Sequence, residues 1–249
     1  MQSAMVIADG KVFAASSIQY GDPLYRGAKL YAINAQTGQK IWSVGGFFTS
    51  GMAVADGYLV GFNGYDNQIY CFGKGQSATT VTATPGVGNA VTIQGTVTDQ
   101  SQGKTCLGIP AAGTPAISDD SMSNWVAYLY EQQTKPTDAK GVTVKLTAVD
   151  SSGNPTVLGT ATSDITGNYA LSWTPPASGL YTITASFDGS GSYFSSSAET
   201  HITVATVATT SSTTANTNVN SLPADAFYAV SAVLIILILA VAVLLLRKK

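Results

Sequence analysis

Four segments with different hydrophobic patterns make up the chain. Up to residue 75, short apolar runs alternate with Gly-containing turns, and from 76 to 205 apolar and polar residues alternate with a period of two. Residues 206–223 show no periodicity, whereas 226–246 are almost entirely apolar and contain no charged residue. Alternation with period two is typical of half-buried strands, so we predict an all-β protein before the apolar C-terminal segment.

The clearest strand pattern is Val142–Val149. Val142, Val144, Leu146 and Ala148 fall on one face, and Thr143, Lys145 and Thr147 fall on the other. Similar runs predict strands at Thr80–Ala83, Ala90–Thr98, Thr156–Thr162, Tyr169–Trp173, Gly179–Ala185 and His201–Ala205. Seven or so short strands separated by turn residues indicate a β-sandwich over 76–205.

An insertion at 99–140 interrupts this pattern and contains a predicted helix. Met122, Trp125, Val126 and Leu129 have i, i+3, i+4, i+7 spacing, which predicts a helix over Ser121–Gln132. Ser118, Asp119 or Asp120 can cap its start, and Pro136 limits its end. Two interpretations stay open. The apolar face packs on a sheet or covers an edge strand, or a partner docks on Trp125, Tyr128 and Tyr130.

Residues 1–75 contain an internal repeat. Ser3–Gly10 recurs as Ser50–Gly57, 47 residues further along, and each copy places an Asp-Gly turn between two short strands. A run with Tyr between apolar residues follows in both copies, at Leu30–Ile33 and at Ile69–Phe72. Units of several strands repeated every 40–50 residues or so are typical of β-propeller blades.

The repeat resembles the pyrroloquinoline-quinone-type (PQQ-like) propeller repeat. That family carries an ADG turn followed by L-Y-A-x-[DN]-A-x-T-G-x-x-x-W, which Leu30–Trp42 matches. The resemblance implies that Trp42 docks between blades and that the turns Asp9-Gly10 and Asp56-Gly57 shape them. About one and a half blades cannot close a ring of typically four to eight. We therefore expect the chain to be the C-terminal part of a longer product.

The second segment resembles bacterial and archaeal immunoglobulin-like surface modules. Their motifs T-x-[ST]-D-x-x-G-x-[YF] and G-x-Y-x-[IV]-x-A correspond here to Thr162–Tyr169 and Gly179–Ala185. The resemblance implies an Ig-like β-sandwich over 76–205. It also implies that Tyr181 forms a tyrosine corner, in which the phenol bonds to nearby backbone.

The C-terminus predicts a membrane anchor. Ala226–Leu246 is 21 residues without charge, Pro or Gly, which is long enough to span the hydrocarbon core as a helix. The cations Arg247, Lys248 and Lys249 then place the C-terminus in the cytoplasm and the bulk outside. Residues 206–223 are a Ser/Thr-rich stalk, and 224–249 form the anchor with its basic tail. Leu222–Ala226 lies where a cell-wall sorting motif would, but it lacks Thr-Gly, so permanent anchoring is favoured.

The composition limits the chemistry. Only 10% of residues are charged and the net charge is −2, which argues against a nucleic-acid partner. The single histidine, His201, is expected on a strand surface, and one histidine with two distant cysteines does not make a usual zinc site. Cys71 and Cys106 either form a disulfide or stay free, with Cys71 as a small buried apolar residue. No cofactor is predicted. Three turn aspartates offer oxygen ligands to Ca²⁺, although turn formation alone explains them: Asp150, Asp164 and Asp188.

These observations predict a membrane-anchored extracellular binding or scaffolding protein rather than an enzyme. The propeller would be the interaction platform for protein or glycan at the cell surface, and the Ig-like module a spacer or adhesion domain. The alternative is a fragment of a quinoprotein-type dehydrogenase whose catalytic blades lie upstream. That alternative predicts quinone absorbance and converging carboxylate and Arg ligands.

Overall fold

The protein is mostly β structure, with several sheets and one helix in the part described. The computed structural model describes residues 5–16, 26–48, 51–101 and 110–205, which belong to one compact unit. Among these residues no sheet closes on itself. The predicted β-rich character is confirmed.

Two antiparallel sheets, called here the repeat sheets, contain the two copies of the sequence repeat. In both sheets the strands lie side by side in chain order. The first has β1 (Met5–Ala8), β2 (Lys11–Ala15), β3 (Lys29–Asn34) and β4 (Lys40–Gly45), and the second has β5 (Ala53–Ala55), β6 (Tyr58–Asn63) and β7 (Gln68–Phe72).

One face of each repeat sheet contributes to a shared core, called here the repeat core. Phe48, which follows β4, is completely buried there and meets the rings of Tyr70 and Phe72 edge-on at 6.0 Å. The other buried members are Phe13, Ala15, Leu30, Ala32, Val44 and Leu59. A repeat sheet cannot cover its own apolar face, so the two copies bury their faces against each other.

Residues 76–205 form two further sheets around a second core. Their strands are β8 (Ser77–Thr79), β9 (Thr82–Pro85), β10 (Val91–Asp99), β11 (Thr114–Pro115), β12 (Thr143–Asp150), β13 (Pro155–Thr162), β14 (Asn168–Trp173), β15 (Gly179–Phe187) and β16 (Ser196–Val204). In one sheet β10 pairs with β8, β9, β11 and β14, and in the other the order is β13-β12-β15-β16. All these pairings are antiparallel.

The predicted inward face of β12 is confirmed. Val144 and Leu146 are completely buried, and Ala148 is almost so. Ile93 and Val97 of β10 complete the same core from the other sheet. The second core therefore lies between these two sheets.

Only Thr82 and Ala83 of the predicted strand Thr80–Ala83 lie in a strand, β9, because Thr80 and Val81 form the break between β8 and β9. At the break, the Thr80 carbonyl accepts a hydrogen bond from the Tyr169 hydroxyl at 2.5 Å instead of a strand partner. Gly95 makes this approach possible, because a Cβ there would lie 1.9 Å from the Thr80 oxygen. The strand predicted at His201–Ala205 begins earlier, at Ser196, since β16 pairs along the whole of β15.

The helix α1 (Asp119–Glu131) matches its predicted range within two residues and ends at Gln132, which adopts a left-handed φ of 53°. Met122 packs against the second core, whereas Val126, one turn later, packs against the repeat core. The apolar face of α1 therefore joins two cores, where one sheet or sheet edge had been expected.

In the described ranges, no helix has the length and apolarity needed to cross a bilayer. The predicted stalk 206–223 and the predicted anchor Ala226–Leu246 lie outside those ranges.

We expect Gly95→Ala to lower the free energy of unfolding by about 1–3 kcal/mol, because the added methyl group would collide with the Thr80 carbonyl. Urea unfolding followed by tryptophan fluorescence measures the change. Gln94→Ala is the control, since Gln94 is an exposed neighbour on the same strand. Equal midpoints for the two variants would contradict the proposed close approach.

Candidate functional site

The outer face of the second repeat sheet is apolar and exposed. Strand pairing places Ala53, Val60 and Cys71 in one row and Phe62 beside Ile69 in another. Ile69 is 74% exposed, Phe62 39% and Val60 37%. No charged residue occupies these rows, and Tyr58 extends them beside Ala55. Contiguous exposed apolar faces usually mark interaction sites.

The first repeat sheet has a comparable outer face at the opposite side of the pair. Met5, Ala14 and Tyr31 form one row across β1, β2 and β3, and Ile7, Val12 and Ile33 form the next. Met5 is 62% exposed and Ile7 66%, while the others are partly buried. Among the β3 residues on this face, the only charged one is Lys29, at the start of the strand.

The sequence reasoning missed both outer faces. A signal was present in Tyr58–Phe62, where apolar residues occupy nearly every position and both faces of the strand are therefore apolar. That pattern is typical of a strand covered on both sides. In this structure the inner positions Leu59 and Gly61 are buried and the alternate positions are exposed.

The Asp-Gly turns lie at equivalent places in the repeat sheets. Asp9 and Asp56 have φ values of 49° and 51°, and Gly10 and Gly57 have 66° and 80°. Positive φ at both central residues is the type I′ hairpin geometry that Asp-Gly favours. At the first turn, a hydrogen bond and charge attraction from Lys11 lower the pKa of Asp9. These residues shape the hairpins.

Trp42 lies between the two repeat sheets. Its ring is 6.0 Å from Phe13 in its own sheet and 5.6 Å from Phe72 in the other. It is partly buried and packs against the repeat core. Trp42 therefore contacts both repeat sheets, and its role between propeller blades stays a prediction.

Trp125 does not offer the exposed anchor that the docking interpretation of α1 required. It is 3% exposed, and its ring packs 5.5 Å from Tyr128 with the Lys135 ammonium 5.9 Å away. The i, i+4 spacing of Met122 and Val126 turns this helix face toward the two cores, and Trp125 lies between them in sequence. Tyr130 is 37% exposed and Tyr128 is partly buried, so two of the three predicted anchors keep some exposure while Trp125 does not.

The start of α1 is fixed to the loop between β15 and β16. Asp119 accepts hydrogen bonds from the Ser190 hydroxyl, the Gly191 N–H and both the N–H and hydroxyl of Ser192, at 2.7–3.0 Å. Burial by itself would raise the pKa of Asp119, but these hydrogen bonds outweigh it and lower the pKa. The N-cap position belongs to Ser118, whose side chain makes no cap hydrogen bond.

The same loop also holds the end of the repeat region. The Gly75 N–H donates to the Ser192 carbonyl at 2.8 Å, and the Phe194 N–H donates to the Gly75 carbonyl at 2.9 Å. Sequence reasoning gave no role to this Ser/Gly-rich loop. Its composition signals only a turn, and its partners are more than 70 residues away in the chain.

The helix α1 lies along β4. The Gly45 N–H donates to the Glu131 carboxylate, and the Ser43 N–H donates to the Ser123 hydroxyl at 3.4 Å. Burial raises the pKa of Glu131, although the Gly45 hydrogen bond and the charge of Lys29 act in the opposite direction. Nearby, burial and then the hydrogen bond to Asp66 raise the pKa of Tyr70 to about 12.

Cys71 is an exposed free thiol on the outer face of β7, which corrects its interpretation as a buried apolar residue. Its proposed disulfide partner, Cys106, lies outside the described residues. Tyr181 donates to the Ala177 carbonyl at 2.9 Å, the type of local hydrogen bond that a tyrosine corner makes.

Two of the three predicted turn aspartates accept local hydrogen bonds. Asp150 accepts from the N–H groups of Ser152 and Asn154, and Asp164 accepts from those of Thr166 and Asn168. Asp188 follows β15 directly. The described residues contain no group of three or more His, Cys, Asp or Glu side chains placed to hold a metal ion.

Two remaining features lie on the second core. His201 is exposed on β16, with Nδ1 3.0 Å from the Thr182 hydroxyl. A shallow groove lies at the end of the same strand and has only uncharged lining residues, among them Pro85, Val91, Ile202 and Val204. Neither feature assembles groups for acid–base or nucleophilic chemistry. The outer faces of the repeat sheets are therefore the strongest candidate site.

A scan against protein-family models and a search of curated proteins each found no match to this chain.

We expect Asp119→Asn to lower the free energy of unfolding by about 1 kcal/mol at neutral pH, because hydrogen bonds to the ionised carboxylate are lost in a partly exposed setting. Because the pKa of Asp119 is lower in the folded protein than in the unfolded chain, the carboxylate stabilises the fold fully at pH values above the pKa of an unfolded Asp. This stabilisation is lost as the pH falls through the pKa of Asp119 in the folded protein.

Urea unfolding of wild type and Asp119→Asn at several acidic pH values tests this, with Asp120→Asn as the matched control. A stability difference that stays constant down to the lowest pH would contradict the role given to the carboxylate.

Glu131→Gln should be neutral or stabilising at pH 7, by less than about 1 kcal/mol, because the amide still accepts from Gly45 without ionising. Because the pKa of Glu131 is higher in the folded protein than in the unfolded chain, the wild type is most stable when Glu131 is protonated. This added stability is lost as the pH rises through the pKa of Glu131 in the folded protein. Thermal unfolding at mildly acidic and neutral pH, compared with Glu199→Gln, measures the effect. Clear destabilisation of Glu131→Gln at pH 7 would show that the charge itself is needed.

Proposed function

We propose that the protein is a membrane-anchored extracellular binding or scaffolding protein without catalytic activity. In this proposal the repeat sheets are blades of a PQQ-like β-propeller and form the interaction platform. Residues 76–205 are an Ig-like spacer or adhesion module, and 206–223 are the stalk. The anchor 224–249 leaves the C-terminus in the cytoplasm.

The observation that carries the proposal is the pair of exposed apolar outer faces on the repeat sheets. Ile69, Phe62 and Val60 on one face, and Met5 and Ile7 on the other, are side chains that water solvates poorly. A binding protein uses such surfaces, whereas a catalytic site needs converging polar groups in a cleft.

Two further observations support the propeller and immunoglobulin-like parts of the proposal. The order β1-β2-β3-β4 within one antiparallel sheet is the strand arrangement of a propeller blade, and β5-β6-β7 follow the same order. In the second core, two sheets share one buried cluster and Tyr181 makes the corner hydrogen bond, as in immunoglobulin-like sandwiches.

The membrane part of the proposal depends on sequence. Ala226–Leu246 has the length and apolarity of a spanning helix, and Arg247, Lys248 and Lys249 follow it directly. The Ser/Thr-rich segment before it has too few apolar residues to fold alone and would hold the β-rich part away from the bilayer.

Labelling with a membrane-impermeant maleimide tests the location in native cells that produce the full chain. Both cysteines are replaced by Ser, and a single thiol is introduced either by Val87→Cys or by Lys249→Cys. Val87 is 97% exposed and lies on neither repeat sheet.

We expect the Val87→Cys variant to be labelled on intact cells and the Lys249→Cys variant only after lysis. Labelling of only the Lys249→Cys variant on intact cells would show that the C-terminus lies outside the cell, which is the opposite of the proposed orientation. Labelling of neither variant before lysis would place the β-rich part inside the cell and overturn the proposed location.

A further inference from the structure

We propose that the two outer faces bind each other between copies of this chain, so that the β1–β3 outer face of one copy docks on the β5–β7 outer face of the next. This inference rests on the proposed binding function and names the partner as a second copy. The contact would be head to tail, since each copy uses two different surfaces.

The interface inside one chain shows how such faces fit together. The sequence repeat aligns Phe13 with Val60, Leu30 with Ile69 and Ala32 with Cys71. The first residue of each pair lies in the repeat core, and the second lies on the exposed outer face of the second sheet. The second repeat sheet thus exposes the face that the first repeat sheet buries.

The converse holds on the other side of the pair. The repeat aligns Ile7 with Val54, Val12 with Leu59, and Tyr31 with Tyr70. Val54, Leu59 and Tyr70 contribute to the repeat core, whereas Ile7 is 66% exposed. The first repeat sheet thus exposes the face that the second one buries.

Docking between copies would therefore repeat the part of an existing contact that β1–β3 make with β5–β7. Trp42, Val44 and Phe48 have no equivalent in the three-stranded second repeat sheet, so the new contact would be smaller. In the repeat core, the face that includes Phe13 and Leu30 packs on the face that includes Leu59 and Tyr70. The outer faces are the repeat equivalents of these two. Val60 and Ile69 are exposed on one, and Val12 and Tyr31 are partly buried on the other. The complementarity is that of an established interface, with side chains of similar type in the equivalent rows.

Charge does not oppose this contact. The rows are uncharged across β1–β3 and across β5–β7. Lys29 lies at the start of β3, and Lys40 of β4 pairs with Ile33 at the end of one row, so both cations lie at the margin of the β1–β3 outer face. Burying these rows removes apolar side chains from water without stranding an ion. Because the contact is heterologous, it generates either a closed ring or an open chain of copies.

Two single substitutions test the geometry in the purified full chain, kept in mild detergent. Ile69→Asp places a charge on the β5–β7 outer face, and Ile7→Asp places one on the β1–β3 outer face. Both side chains are exposed, so both variants are expected to fold. Val87→Asp is the control, because Val87 is exposed and lies outside both faces.

Sedimentation velocity over a range of protein concentrations measures association. We expect the wild type and Val87→Asp to form oligomers that grow with concentration. Each face variant alone should stay monomeric, with an apparent dissociation constant higher by on the order of a hundredfold. Mixing the two face variants should give a 1:1 dimer, since one supplies an intact β1–β3 face and the other an intact β5–β7 face.

Cys71 provides a second readout, because it lies on the β5–β7 face. In a Cys106→Ser background, its maleimide reaction rate should fall as protein concentration rises, and it should stay constant when Ile69→Asp is added. Circular dichroism confirms that each variant is folded.

Three results would overturn the proposal. A wild type that remains monomeric with a fully reactive Cys71 would show that a second copy does not cover these faces. Loss of association in only one of the two variants would indicate a symmetric contact through a single face. A native product in which additional repeats of the same chain cover both faces would assign the site to those repeats. The maleimide labelling of Val87→Cys does not depend on any of these outcomes, so it separates failure of this inference from failure of the proposed location.

Discussion

A β-sheet that is apolar on both faces needs cover on both, and this constraint governs the first part of the molecule. Within the pair of repeat sheets, one face of each is covered by the other sheet, with Phe48 and Trp42 between them. The remaining faces have no such cover among the described residues. The apolar faces at the centre of the pair are therefore buried, whereas the two outer faces remain exposed or partly exposed to solvent.

The helix α1 and the loop between β15 and β16 connect this pair to the rest of the protein. Met122 and Val126 lie one turn apart and reach different cores, so the helix cannot shift without disturbing both. Asp119 fixes the start of the helix to Ser190–Ser192, and the same loop pairs with Gly75. Polar contacts over long sequence separations thus add to the apolar contacts that Met122 and Val126 make with the two cores.

Periodicity and turn chemistry were sufficient to predict most elements. The alternation of Val142–Ala148, the spacing from Met122 to Leu129 and the Asp-Gly turns each depend on local rules that the structure obeys. Partners could not be predicted in the same way. The Tyr169 hydroxyl donates to the Thr80 carbonyl, and the loop between β15 and β16 donates to the Asp119 carboxylate. Both interactions join residues that are far apart in sequence. Trp125 illustrates the same limit, because helical spacing shows that a face is apolar but does not show what covers it.

Sequence patterns do not show which apolar faces are covered, and the outer faces of the repeat sheets demonstrate this. Ile69 and Leu30 are equivalent in sequence, yet one is 74% exposed and the other is completely buried. Leu30 lies on β3 between β2 and β4 and faces the second repeat sheet, whereas Ile69 lies on the edge strand β7 and faces no sheet among the described residues. Repeat sheets are stabilised mainly by contacts with their neighbours. A partner that binds only the folded pair therefore stabilises it by mass action. For this reason, whatever covers the outer faces influences both the function of the repeat sheets and their persistence as a folded unit.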